Sequence, residues 1–383
     1  MTSYLETIRR IEPPDETAAA RCRAYWNQIA KPLYGMGVLE DMLIRIAAVQ
    51  GTEHVDIRKK ALVIFCADNG VVEEGVSQTG QETTAIVAEN FVDGISCAAI
   101  MCRRAGVDLF PVDVGMAVDT PRVEKRKTRC GTSNMTKGPA MTRQETAAAI
   151  EAGIAKAYEL ASAGYRIFAS GEMGIGNTTT SSAITSVLLS ADPEEVTGVG
   201  SGLPAGGLQK KIDAIRRAVE INRPDPQDPV DVLAKVGGFE IAALTGLFLG
   251  GAACRIPVII DGFISAAAAL IAVRLAPQAA AYMLPSHIST EPATKRVMEA
   301  LGFLPADGAG STAPGGQGTA GITGKDQGIS PILHAGMHLG EGTGAVALFP
   351  LLDMACDIYE QMETFQDIKV EQYQDYGAAA EGN

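Results

Sequence analysis

Ala61-Leu-Val-Ile-Phe-Cys66, running on into Ala67-Asp-Asn-Gly70, decides the fold class. An apolar run with no polar face is how a strand buried on both sides reads, and such strands belong to parallel sheets covered by helices. Asp68-Asn-Gly70 supplies the turn that ends it. The same pattern recurs in Val107–Val114, Tyr165–Ser170 and Pro257–Ile260, with alanine-rich Ala279–Leu284 as a weaker strand candidate. Helical spacing links them over Thr83–Arg104, Thr142–Ala163, Leu208–Asn222, Phe239–Cys254 and Ile264–Leu275. Strands alternating with helices predict an α/β protein with a mainly parallel sheet. Ligands of such sheets bind beyond the carboxyl ends of the strands. Asp68, Asp113, Glu172, Asp261 and His287 all fall there.

Composition narrows the function classes. A chain of 383 residues, 46% hydrophobic, suffices for one large domain or two. A formal charge of −13 without a basic tract argues against nucleic acid or an anionic membrane surface as partner. Seven scattered cysteines without a C-x-x-C pair argue against a disulfide framework or structural zinc, so a cytoplasmic location is expected. With four histidines, no metal site is expected. No signal peptide is read at the N-terminus. The most apolar stretch, 241–274, is interrupted by Arg255, Pro257 and Asp261, and reads as helix, strand and helix rather than a membrane span.

Three stretches carry chemistry. In Gly336-Met-His-Leu-Gly-Glu-Gly-Thr-Gly344, Glu341 stands between Gly340 and Gly342, where the backbone can turn tightly and approach a ligand. It reads either as a base in a cleft or as an exposed turn residue. Ser170-Gly-Glu-Met-Gly-Ile-Gly-Asn-Thr-Thr179 is a strand-to-helix turn. Its glycines suit an anion at a helix start, or it is a tight turn capped by Asn177 or Thr178. It is not a Walker loop, since no Gly-Lys-Ser/Thr follows, and not a dinucleotide loop, since Thr179 stands where the third glycine belongs, which makes a dehydrogenase remote. Val199–Lys211 is a second glycine loop, whose Lys210 or Lys211 could neutralise a phosphate or lie on the surface. Val258-Ile-Ile-Asp261 starts like a diphosphate-binding ribosyltransferase loop but lacks its second acid and Thr-rich turn. Residues 305–330, rich in glycine, read as a mobile insertion or lid. The stretch 351–370 reads as an amphipathic helix, and 371–383 as a frayed end.

Together these pieces resemble the nicotinate-nucleotide–dimethylbenzimidazole phosphoribosyltransferase family. The resemblance rests on Ala67–Ser77, Val112–Gly115, Gly138–Thr142, Gly171–Thr179, Gly237–Glu240, Asp261–Ser265, Ser286–Ser289 and Leu339–Gly344, in family order. It implies a mainly parallel Rossmann-like sheet flanked by helices over 51–350, a small helical domain from 1–50 plus about 351–383, and a homodimer. It implies transfer of phosphoribose from nicotinate mononucleotide to 5,6-dimethylbenzimidazole or a related base, phenolic ones included, with no cofactor. Glu341 matches the catalytic base, Glu172 and Lys211 further catalytic positions, and Gly174, Gly176, Asn177 and Thr178 the phosphate segment. Thr79, Val87, Met173, Asp261, Ser289, His338 and Leu339 match other substrate-binding positions. Family members commonly carry histidine where Asn69 stands, arginine where His338 stands and, in some, glutamine where Val87 stands. The alternative is a catalytically weak homologue serving as a binding or partner subunit.

Overall fold

The computed structural model describes residues 3–200, 202–203, 206–305 and 329–374. The 305–330 insertion lies almost wholly outside the described residues, as does the chain end beyond 374. Helices α1 (Tyr4–Arg9), α2 (Glu16–Gln28) and α3 (Val38–Gln50) precede strand β1 (Lys60–Ala67). Then come α4 (Glu82–Asp93), α5 (Cys97–Ala105), β2 (Val107–Gly115), β3 (Glu124–Lys125), α6 (Arg143–Ser162) and β4 (Ile167–Met173). The middle of the chain holds α7 (Asn177–Leu189), α8 (Pro193–Val196), α9 (Gly207–Asn222), α10 (Pro229–Val236) and α11 (Phe239–Ala253). It closes with β5 (Val258–Ile260), α12 (Phe263–Leu275), β6 (Met283–Pro285), α13 (Thr294–Ala300) and α14 (Thr343–Gln361).

The strands form one six-stranded sheet, ordered β3-β2-β1-β4-β5-β6 and parallel throughout. The chain leaves β1 in one direction and returns to its other side at β4, so strand order reverses between these two. That reversal opens a crevice at the carboxyl edge, the usual ligand site of such sheets.

β1 shows why its sequence has no polar face. Ala61, Val63 and Phe65 enter the core under α6, α11 and α12, while Leu62, Ile64 and Cys66 enter the core under α3, α5 and α14. The two chain ends meet on the second face: Tyr359 stacks edge-on against Tyr25 at 4.8 Å and lies 5.0 Å from Trp26, and Phe365 N–H donates to Gln28 O at 2.9 Å.

Four expected elements are corrected. The helix expected over Thr83–Arg104 is two, because Gly94 turns left-handed (φ 74°) and closes α4, and the Ser96 hydroxyl then caps α5. Residues 82–105 are apolar enough for a membrane span by composition, but this break leaves helices of 12 and 9 residues, well short of the roughly 20 needed. Strand β4 runs on to Met173, so Glu172 sits in the sheet, opposite Phe65, rather than in the turn. The strand expected over Ala279–Leu284 is a 3₁₀ turn (Pro277–Tyr282) followed by β6, since its alanines have no branched side chains to favour extension. The helix expected over 351–370 starts earlier, at Thr343, and stops at Gln361, after which a Thr364–Asp367 turn redirects the chain.

Candidate active site

Glu341 is built into the crevice by backbone strain. Gly340, Glu341 and Gly342 have φ of 82°, 59° and 77°, three left-handed residues in a row. A non-glycine residue in that region costs on the order of 1–3 kcal/mol and persists where its surroundings hold it. Asp261, at the end of β5, does the holding. Its Oδ2 accepts Gly342 N–H at 3.1 Å, and its Oδ1 accepts Gly344 N–H at 2.7 Å and Ala345 N–H at 3.1 Å. Its carboxylate therefore caps the start of α14, where both orphan N–H groups and the helix dipole favour a negative charge.

Glu172 approaches from β4. Its Oε1 lies 2.5 Å from where a Cβ on Gly340 would be, and its Oε2 accepts the Asn177 amide. Burial pushes the Glu172 carboxyl up to about 8, with Asp261, Glu240 and Glu341 adding to the rise and Asn177 opposing it. Glu341 is raised in the same direction, by burial first and then by Asp261. Burial raises Asp261 and lowers its neighbour His287, while the attraction between the two opposes both shifts.

The turn at 174–177 is uncapped by any side chain: Gly176 (φ 92°) is the N-cap of α7. Asn177 and Thr178 face elsewhere. Asn177 holds Glu172, and the Thr178 hydroxyl accepts the Lys211 ammonium at 2.8 Å. Lys211 is 1% exposed, also donates to Gly198 O at 3.1 Å, and burial lowers it to about 8. Lys210, by contrast, is exposed. The second glycine loop thus brings its buried lysine to the first.

The remaining expected residues fall into two groups. Ile175 N–H donates to the Thr84 hydroxyl, which donates to Asp68, so α4 is tied to the 174–177 turn. Val87 lies three residues on, on the same helix face, and both it and Met173 border the apolar cluster under α14. Ser289 is buried beside Gly262, next to Asp261. Thr79, His338 and Leu339 are exposed loop residues. Sequence reasoning gave no role to Glu240, although Gly237-Gly-Phe-Glu240 was in view. It is fully buried at the start of α11, where it accepts the Asn69 amide at 2.8 Å.

A family model described as phosphoribosyltransferase matches residues 11–320 and 317–370. The chain belongs to this family. A nicotinate-nucleotide–dimethylbenzimidazole phosphoribosyltransferase of Acetivibrio thermocellus is 45% identical over 91% of this chain and 92% of its own length. Its counterpart in Ruminiclostridium cellulolyticum is 44% identical over 97% of this chain and 99% of its own length. The crystal structure of CobT from Thermus thermophilus superposes with a TM-score of 0.82 at 36% identity, covering 93% of this chain and all of that one. The relatives thus span both faces of the sheet and the crevice between β1 and β4.

Proposed function

We propose that this phosphoribosyltransferase moves the phosphoribosyl group of nicotinate mononucleotide to a benzimidazole-type base, giving nicotinate and an α-riboside phosphate for the nucleotide loop of a cobamide. The observation that carries this is Glu341, a half-buried carboxylate of raised proton affinity, fixed by Asp261 and strained glycine turns beside a phosphate-ready helix start.

The chemistry follows from the substrates. Nicotinate mononucleotide carries a pyridinium on its anomeric carbon, so the leaving group departs as a neutral ring. The acceptor azole attacks through one nitrogen and sheds a proton from the other, which Glu341 takes. General base catalysis contributes roughly 10²–10⁴-fold and works best when the base titrates near the working pH, which the raised Glu341 approaches. Attack opposite the leaving ring inverts the anomeric centre. The 174–177 turn and Lys211 hold the phosphate, Glu172 and Asn177 face the reacting sugar, and Val87 and Met173 border the base. Substitution of Val87 for a polar residue makes this base site more apolar, so phenols and simpler benzimidazoles compete well.

We also propose that 1–50 and the segment from about 351 act as a small helical domain beside the 51–350 catalytic domain, and that the protein is a cytoplasmic homodimer. The exposed apolar residues Ile86 and Val92 on α4, Ile95 in the link after it and Ile100 on α5 support a second copy as their cover. The test of the reaction is incubation with nicotinate mononucleotide and a panel of bases, reading free nicotinate by chromatography. Release that depends on both partners is expected. No release with any base would favour a partner-subunit role instead.

A further inference from the structure

Asn69, just past β1, and Glu240, at the second position of α11, are both fully buried. The Asn69 amide donates from Nδ2 to Glu240 Oε1 at 2.8 Å. Among the described residues, the other atom of each group, Asn69 Oδ1 and Glu240 Oε2, is buried and has no hydrogen-bond partner. Both atoms pack on Gly238: each lies 2.6 Å from where a Cβ there would be, which places them within about 5 Å of each other, and Glu240 Oε1 lies 2.7 Å from the same point. If Glu240 is ionised, both atoms are buried acceptors to which no described residue donates, an arrangement that costs free energy. Exchanging the amide's oxygen and nitrogen only moves the mismatch to Oε1.

One proton removes the conflict. A carboxylic acid is both donor and acceptor, and so is a primary amide. With the proton on Oε2, Oε2–H donates to Asn69 Oδ1 while Nδ2–H donates to Oε1, closing a ring of two hydrogen bonds. We propose that Glu240 is held as a neutral acid in this cyclic pair with Asn69, and that the pair is the uncharged floor beneath the phosphate turn. The turn rests on it directly. A Cβ on Gly174 would lie 3.2 Å from Glu240 Oε1, and one on Gly176 would lie 3.4 Å from Asn69 Cβ.

The charges around Glu240 favour the neutral form. Asp68 at the end of β1 repels its anion, and Glu172 on β4 is itself raised by Glu240. Burial does most, pushing Glu240 up to about 7 against the Asn69 bond and Glu240's own backbone N–H, which lower it. Arg129 is directed to the Phe239 ring, and Lys127 to Asp113 and Asp119. As pH rises through neutrality the ring opens and an anion appears under the anion-binding turn. Glu240 and Asn69 are thus positioning residues, and the inference rests on the phosphoribosyl-transfer reading.

The decisive variant is Glu240→Gln, whose amide makes the same two hydrogen bonds with Asn69 at every pH. The wild-type KM for nicotinate mononucleotide is expected to rise between pH 6.5 and 8.5 relative to that of Glu240→Gln by at least about fivefold, the low end of usual site-to-site couplings. Taking the ratio cancels the titration of Lys211 and of the substrate phosphate, and kcat should change little between the two proteins. Infrared difference spectra should show a protonated carboxyl band at pH 6.5 that Glu240→Gln lacks. Parallel KM profiles, or an unchanged carboxyl band, would overturn the pair. Should the variant fail to fold, a wild-type affinity that stays flat from pH 6.5 to 8.5 overturns it as well. Absence of nicotinate release from the wild type would refute the reaction, while the infrared comparison would still decide the pair.

Discussion

Replacing Asp261 by asparagine tests whether Glu341 works because it is held. Asparagine keeps Oδ1, hence the bonds from Gly344 and Ala345, but turns an NH₂ group toward Gly342 N–H. One bond is lost outright, and two lose their charged acceptor. Hydrogen bonds to charged groups contribute about 1.5–3 kcal/mol each and neutral ones roughly half that, so the gross loss is about 3–6 kcal/mol. Asp261 is 2% exposed and its proton affinity is raised by burial, so removing its charge returns part of this. A net loss of about 2 kcal/mol is comparable to the strain stored at Glu341. If that strain is released, the productive arrangement becomes about 30-fold rarer, since 1.36 kcal/mol is tenfold. The kcat of Asp261→Asn should therefore fall about 10–100-fold, with KM for nicotinate mononucleotide within about threefold. A second signature separates this from general damage. Asp261 raises Glu341, so its removal lowers the base's proton affinity and moves the acid limb of the kcat–pH profile to lower pH. The assay is nicotinate release from pH 5 to 9. Wild-type kcat with an unmoved acid limb would refute the reasoning.

Glu341→Gln should reduce kcat roughly 10²–10⁴-fold while nucleotide affinity measured by calorimetry holds, and less so for acceptors that are more acidic at the lost proton. Lys211→Met should weaken nucleotide binding below pH 8 and erase its decline as Lys211 discharges near 8. Because the folded-state value of Lys211 lies below its ordinary one, the group adds stability as pH rises from about 8 toward about 10.5, and melting curves of the variant should lack that rise. Val87→Gln should shift the ratio of kcat/KM values among acceptors by about tenfold toward bases with a polar edge, read on the same panel. Binding of the nucleotide near pH 7, which brings the local positive charge of its pyridinium ring to Glu172, should release protons as Glu172 ionises, seen as a dependence of binding heat on buffer ionisation enthalpy that disappears in Glu172→Gln.

The sheet was legible because burial on both faces leaves a mark in composition: Leu62 and Ile64 serve one core, Val63 and Phe65 the other, and no polar residue interrupts them. The break at Gly94 was hidden by apolar spacing that continues across it, and only a positive φ ends the helix there. The candidate site was legible as residue types after strands, not as contacts. The contacts of Asp261 were not legible, because its partners, Gly342, Gly344 and Ala345, lie more than 80 residues away. Glu240 attracted no role for the same reason, its partner Asn69 being 171 residues distant. Local chemistry marks what a residue can do; the fold decides which of its atoms remain free to do it.

The acidity of the crevice makes sense of the proposed reaction. Glu172, Glu240, Asp261 and Glu341 share one buried region, and each is shifted toward its neutral form. Nearby charges of one sign raise carboxylates, and an incoming cation lowers them. The pyridinium of nicotinate mononucleotide is such a cation. Its arrival stabilises the ionised carboxylates, so substrate binding and deprotonation of Glu341 favour each other. As the glycosidic bond breaks, the ring becomes neutral and its stabilising effect is withdrawn. The proton affinity of Glu341 then climbs while the attacking azole becomes cationic and acidic, so the base strengthens as its proton arrives. Free nicotinate retains only its own carboxylate, which the surrounding acids repel. The same arrangement that attracts the substrate therefore expels the leaving group once the bond is broken.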